Sequence, residues 1–486
     1  MKYRPSKWFL RIVIPAALLA AVVWFGVLPE VEDAWAEPVK GEIVFKEKGG
    51  PLERTGGYQV KSVLPPMLRL KEWLGSSMED LMRWEHNPWK LAGDRPHPAS
   101  HFLDMLASKD PKEQAKAREI QRLAEEWLKK LMERYPELAV TPHPVPDERN
   151  GFLQWLDFSA RLKQQVGPHE AASMGLTKPL TDYLAGNAPW DAAAAREWLA
   201  ANAALMKEVH ALAALEESST EGIPVDRYFF VQARLAKEAT DALMLEARVA
   251  AENGDVAAAM ESMAAVRGLV DIFTEVESPT LLMGTVSILV RLNLEKRFFS
   301  DILPALPPGS QDIAAWEALV NPQVDPPAEY ARLMRGEWSM AVRQWILPPI
   351  LDPENPLPVP DGGELIEVFS LPYREISLAY GDARWSDAPP VLSDPDAAAT
   401  GLSRNSQSMV PNLMGSTEAW RKGMLQSQYT HGLNQAAFSI LKGQPLPVDP
   451  VWGKPYRWDP STRTLSMPTG PEFDGLKIDP LVVPRR

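Results

Sequence analysis

The hydrophobic pattern changes character three times along the chain. First comes an apolar run without a polar break, Ile12 to Leu28, ended by Pro29. Lys2, Arg4, Lys7 and Arg11 precede it with no acid among them. As a helix the run spans roughly 26 Å at ~1.5 Å per residue, the short edge of what a hydrocarbon core of roughly 30 Å requires. Trp8 and Phe9 on one side and Trp24 on the other extend it as interfacial anchors, and the basic N-terminus is expected on the cytoplasmic side. Residues 1–36 therefore read as a signal anchor or transmembrane segment. The expected topology is a single pass of a bacterial inner membrane, N-terminus cytoplasmic and bulk periplasmic. The competing reading is a cleaved signal. Ala34-Trp35-Ala36 is a small-x-small site, and cleavage near Ala36 would leave a secreted or periplasmic chain. Against cleavage, the run exceeds the usual signal core, and Glu30, Glu32 and Asp33 crowd the site.

From about residue 67 the apolar positions recur at helical spacing. The segment between, 37–66, reads as a linker with two short extended stretches, Glu42–Phe45 and Tyr58–Val63, around glycine pairs. The clearest helix starts at Asp110, with Pro111 in its first turn and Glu113 placed for a capping box. Ile120, Leu123, Ala124, Trp127, Leu128 and Leu131 form its stripe, and Pro136 ends it. One helix is expected from Asp191 to about Leu215. Another runs from Tyr228 to Ala251, followed by the Asn253-Gly254-Asp255 turn. The next buries Met263, Val266, Val270 and Phe273, and a third runs from Ser278-Pro279 to about Leu303. The apolar stretch Leu281–Val290 is too short to cross a bilayer. These pairs have the look of helical hairpins, with no 34-residue self-similarity to make a regular array.

The third change comes at residues 348–415, a proline-rich loop region interrupted by one helix, Glu364–Tyr380, kinked at Pro372. A terminal helix then runs from about Ser416 to Leu441, before a proline-, glycine- and aromatic-rich tail with β character. The expected fold is mainly α. It is an irregular antiparallel helical bundle or solenoid (67–347) after one N-terminal transmembrane helix, with a small β-containing tail (416–486).

Composition narrows the chemistry. The chain has 486 residues, 45% hydrophobic and 24% charged, an ordinary globular balance. The net charge is −13, and about −17 once the four positives of the first 11 residues are set aside, which argues against nucleic acid as a partner. With no cysteine, disulfides, thiolate catalysis and iron–sulfur clusters are excluded. Seventeen tryptophans and 18 methionines are scattered throughout and read as core.

No catalytic residue is assigned and no cofactor is expected. His97 and His101 stand four apart, but Pro98 and the absence of an interposed glutamate make a poor zinc motif. Ser439-Ile440-Leu441-Lys442 matches Ser-x-x-Lys without its partner motifs. Glu216-Glu217 and Glu275/Glu277 read as solvated helix ends. Arg335-Gly336-Glu337-Trp338 reads as an Arg–Glu pair bracing two helices. In the tail, Asp449, Asp459 and Asp474 are weak calcium candidates, oxygen donors near turns without an Asp-x-Asp-x-Asp-Gly run. Asp449, Pro450, Gly453, Pro455 and Tyr456 form its structural motif: Asp-Pro starts a turn, Gly453 permits unusual backbone, and Pro455 leads into a strand.

That tail, Leu446-Pro447-Val448-Asp449-Pro450-Val451-Trp452-Gly453-Lys454-Pro455-Tyr456, resembles the Asp-Pro…Gly-x-Pro-Tyr segment of type II secretion major pseudopilins. The likeness covers about 45 residues and lacks the pilin N-terminal motif. More broadly the chain resembles uncharacterised membrane-anchored extracytoplasmic helical proteins of bacterial envelopes. The resemblance rests on Asn187-Ala188-Pro189-Trp190-Asp191, Asn253-Gly254-Asp255, Arg335-Gly336-Glu337 and the tail. It implies architecture and location, not chemistry. The expectation for function is a membrane-tethered periplasmic binding or scaffold protein with an envelope protein partner. The alternatives are an envelope polysaccharide or peptidoglycan hydrolase with an unlocated acid pair, and a secretion-apparatus component.

Overall fold

In a computed structural model, residues 100–165, 172–223, 233–309, 312–355, 362–380, 417–470, 473 and 478–485 are described. The N-terminal anchor, the two expected extended stretches, His97 and Asp474 lie outside them.

The described helices are α1 (Ser100–Ala107), α2 (Pro111–Arg134), α3 (Gly151–Gln165), α4 (Lys178–Leu184), α5 (Ala192–Ala201), α6 (Ala203–Ala213), α7 (Ala233–Glu252), α8 (Val256–Thr274) and α9 (Leu281–Arg297). They continue with α10 (Ile313–Val320), α11 (Pro326–Ala341), α12 (Leu347–Leu351), α13 (Gly362–Tyr380) and α14 (Thr417–Lys442). Strands β1 (Arg457–Asp459), β2 (Thr464–Ser466) and β3 (Leu481–Val482) form an antiparallel sheet in the order β1-β2-β3. The fold is thus mainly α with a small sheet. Among the described residues no helix is long and apolar enough to cross a membrane.

The chain sorts into two compact units. Of the described residues, the first takes 100–136, 338–355 and 362–375, so the helical stretch expected as one domain over 67–347 is divided between units, and the proline-rich region contributes to the first. Within it, Asp110 caps α2 by accepting from Lys112 N at 2.8 Å. Ala117, Ile120, Ala124, Leu128 and Leu131 make the buried stripe of α2. Trp338 stacks edge-on to Tyr135 and donates from its indole to Ser370 Oγ at 2.8 Å. Lys116 bridges Asp352 and Glu354, each at 2.8 Å.

The second unit is built on the α7–α8–α9 antiparallel run. Gly254 takes φ +77°, a conformation glycine adopts without a side-chain penalty, and Asp255 caps α8 by accepting from Ala258 N. Met263, Val266, Val270 and Phe273 are buried. α9 is apolar nearly all round because it packs against α7, α8 and α14. Past α9 the helix widens into a π turn at Phe298–Ile302, where Phe298 stacks on Phe438 of α14. The single helix expected from Asp191 is two helices. Asn202 leaves helical geometry at φ −112°, ψ 21°, and its side chain bonds back to Trp198 O. Asn competes for backbone partners in this way, which the alanine-rich composition hides.

The tail packs on α14: Leu465 and Val483 join the hydrophobic core of the unit, and Tyr456 and Pro450 press on Gly432.

Candidate functional site

The second unit contains a cleft of 480 Å³, lined by α8, α9, the end of α10, the Pro322–Asp325 connection and α11. Its apolar side includes Val266, Val270, Leu294 and Val324. Its polar side carries four arginines, 267, 291, 332 and 335, and four acids, Asp271, Glu275, Asp325 and Glu329. Two of the arginines are committed. Arg291 makes a forked pair with Glu329 at 3.2 and 3.3 Å. Arg267 lies 3.8 Å from Asp271 and donates to Ala318 O at 3.2 Å. Asp325 accepts from Ala328 N at 3.2 Å and so starts α11, ahead of Pro326 and Pro327.

Arg332 and Arg335, one turn apart on α11, have no acid partner among the described residues. Both are half-buried. Withdrawal from water, together with the charge of Arg332, lowers the pKa of Arg335. Ser287 lines the same cleft, is fully buried, and its Oγ has no partner. Burial pushes Asp271 up to about 6, with Glu275 adding to the rise and Arg267 and Arg291 opposing it.

Beside the cleft, across the Arg291–Glu329 pair, lies a buried polar cluster around a cavity of only 10 Å³. Glu295 of α9 is 1% exposed. Its carboxylate accepts from His431 Nδ1 at 2.8 Å, Asn321 Nδ2 at 2.9 Å and Asn434 Nδ2 at 2.6 Å. The carboxylate fixes Nδ1 as the protonated ring nitrogen. Asn321 Nδ2 also reaches His431 O at 3.2 Å, while Asn321 Oδ1 is buried without a partner.

The Arg335-Gly336-Glu337-Trp338 run is used differently from the expected Arg–Glu brace. Arg335 lines the cleft. A Cβ on Gly336 would fall 2.1 Å from Pro279 O, so glycine lets α11 pass against that backbone. Glu337 accepts from Leu281 N at 2.9 Å, bracing α11 onto the start of α9 through a backbone donor. Burial raises the pKa of Glu337, opposed by that N–H. Glu277, expected at a solvated helix end, instead takes hydrogen bonds from Ser219 Oγ and Thr220 N, both at 3.1 Å.

The other sequence candidates fall elsewhere. His101 sits 3.6 Å from Asp352 in the first unit. Ser439 Oγ donates to Gln435 O, and Lys442 pairs with Glu317 at 2.6 Å, so both groups are engaged. Asp449 is buried, with Oδ1 accepting from Val451 N and Trp452 N and Oδ2 from Lys454 N, at 3.0, 2.8 and 2.5 Å. Gly453, at φ +66°, closes this turn by donating to Asp449 O. Val448 and Pro455 face each other across it in an isolated bridge. Asp459 is held to about 2 by hydrogen bonds from Ser461 and Thr462. Both aspartates organise their own turns. Among the described residues no group of three or more metal-ligating side chains gathers at one point.

No local pattern in the sequence marks the cleft, because its lining comes from separate helices. Glu329 stands three residues before Arg332, a spacing that favours an ion pair along one helix face. The fold gives Glu329 to Arg291 of α9 instead. Set against protein-family models, curated proteins and solved structures, the chain matches none.

Proposed function

We propose that this chain is a membrane-tethered extracytoplasmic binding protein of the bacterial envelope that holds its ligand in the cleft of the second unit. The cleft carries the reading. At 480 Å³ it falls within the range of roughly 300–1,000 Å³ typical of small-molecule sites, and it combines an apolar wall with a few convergent polar groups. The basic N-terminus and apolar run support the tether and the extracytoplasmic location. The test is native mass spectrometry of the detergent-solubilised full chain, captured gently and compared with a Val270→Trp variant that fills the cleft. The wild type is expected to carry a stoichiometric guest that the variant loses. Equal occupancy in both would place binding elsewhere, and turnover of a glycan panel would replace binding with catalysis.

One observation favours the second reading, an envelope polysaccharide hydrolase. Asp271, raised to about 6, is suited to hold a proton as a general acid, and Glu275 follows it by one helical turn in the same cleft. Against it, no tryptophan among the described residues lines the cleft to stack on a sugar. Loss of glycan turnover in Asp271→Asn would support this reading, and absence of turnover in the wild type would end it.

A further inference from the structure

We infer that the cleft takes a small organic anion, its carboxylate or phosphate head held by Arg332, Arg335 and Ser287 and its short apolar body laid on Val266, Val270 and Leu294. This inference rests on the binding reading and specifies the ligand class.

The argument begins with what each polar group lacks. A guanidinium drawn out of water loses hydration that a carboxylate or phosphate repays best, because its fork of N–H donors matches two oxygens at once. Arg267 and Arg291 have that repayment from Asp271 and Glu329. Arg332 and Arg335 lack it among the described residues, and the charge of Arg332 adds to the cost of charging Arg335. Their spacing of three residues puts them on one face of α11, where a single head group meets both. Ser287 adds an independent sign. Its hydroxyl is fully buried on the opposing helix α9, lines the same cleft, and makes no hydrogen bond. A buried hydroxyl without a partner costs about 1–3 kcal/mol, a deficit that a ligand oxygen would remove.

The acids of the cleft do not compete for these arginines. Glu329 is occupied by Arg291, and Asp325 by the first turn of α11. Asp271 lies against Arg267, one turn of α8 away, and Glu275, the fourth acid, is exposed to solvent just past the end of α8. A cation would find no half-buried acid left without a partner, whereas an anion finds two arginines. The apolar wall sets the rest of the ligand. A compact hydrocarbon chain or ring buries there at about 25 cal/mol per Å².

The test uses the full chain in detergent and four probes of six carbons each: hexanoate, hexyl phosphate, hexanol and hexylammonium. Affinity is measured by calorimetry, with detergent alone as the blank. At least one anion is expected to bind about ten-fold more tightly than hexanol, the return from one charge-assisted contact of about 1.4 kcal/mol. Whichever of hexanoate and hexyl phosphate binds better identifies the head group. R332Q/R335Q is expected to abolish the preference while leaving hexanol binding unchanged, and Ser287→Ala to weaken anion binding several-fold. Arg335→Lys, which keeps the charge but not the fork, should retain only part of it, and circular dichroism of each variant checks that the helices are intact. Hexylammonium binding as tightly as hexanoate, or an anion preference surviving in R332Q/R335Q, would overturn the inference. Hexanol bound with no anion preference would sink the inference and leave the cleft as a binding site. No probe bound at all would sink both.

Discussion

Glu295 and Arg335 are both charged side chains withdrawn from water in the same unit, and their surroundings differ. Glu295 is almost completely enclosed, yet both oxygens meet donors from three side chains on two other segments. Arg335 is only half-enclosed, yet beside it stands another arginine rather than an acid. A carboxylate with its hydrogen bonds complete belongs to the architecture: it ties α9, the end of α10 and α14 together at one point. A guanidinium without an acid is a standing cost to the folded state, and the proposed anion site would give that cost a use. The same helix supplies the boundary, since Arg291 lies one turn from Glu295 and spends its charge on Glu329.

The sharpest way to break this comparison is Glu295→Ala. Three donors would lose their acceptor in a region closed to water, and the expected loss is about 3–5 kcal/mol in urea unfolding. A loss below about 1 kcal/mol would mean the cluster rehydrates freely and is no more architectural than the cleft. Next comes Gly336→Ala. The added Cβ meets the Pro279 carbonyl rather than a flexible side chain, so α11 must move, at about 1–3 kcal/mol. That shift should also loosen the cleft, because Arg335 precedes Gly336 directly. Unchanged stability would show that the α11 crossing has slack, and the cleft with it.

These two positions mark where the sequence stopped being readable. Helices with strong local signals were legible: Asp110 and Asp255 cap as their positions implied, and the Met263–Phe273 stripe is buried. So was the tail, whose strands pair through the turn at Asp459–Arg463. Signals that depend on a partner distant in sequence were not. Glu295 stands in the sequence as one more acid within a helix, and its meaning lies in His431 and Asn434, more than a hundred residues later. Gly336 looks like a weak point inside a helix and is a contact with Pro279. Arg332 looks paired with Glu329 because local spacing allows it, and only the packing of α9 on α11 reassigns the acid.

Arg335→Gln tests the other half of the comparison. Removing a half-buried charge that has no acid partner among the described residues should leave stability within about 0.5 kcal/mol of wild type, or raise it slightly. The measurement is the same urea titration used for Glu295→Ala. A loss above about 1 kcal/mol would show that Arg335 holds the fold together, and the contrast with Glu295 would disappear.

The smallest expected effect is on the acidic side of the cleft and shows itself through pH. Asp271 sits at about 6 in the folded chain, chiefly through burial, against an unfolded carboxyl near ~3.9. The folded state therefore holds this proton more tightly than the unfolded state does. Its contribution to stability is fully present below about pH 4 and is lost as the pH rises through about 6. Asp271→Asn keeps a neutral side chain at every pH. Its stability relative to wild type should therefore rise between pH 4 and pH 6 and level off above. The side chain remains 46% exposed, so water screens much of the penalty and the gain should be small. Urea titrations of both chains at pH 4, 5, 6 and 7 measure it. A difference that stays flat across that window would mean Asp271 titrates as an ordinary surface acid. The unmet charge of the cleft would then lie wholly with its arginines.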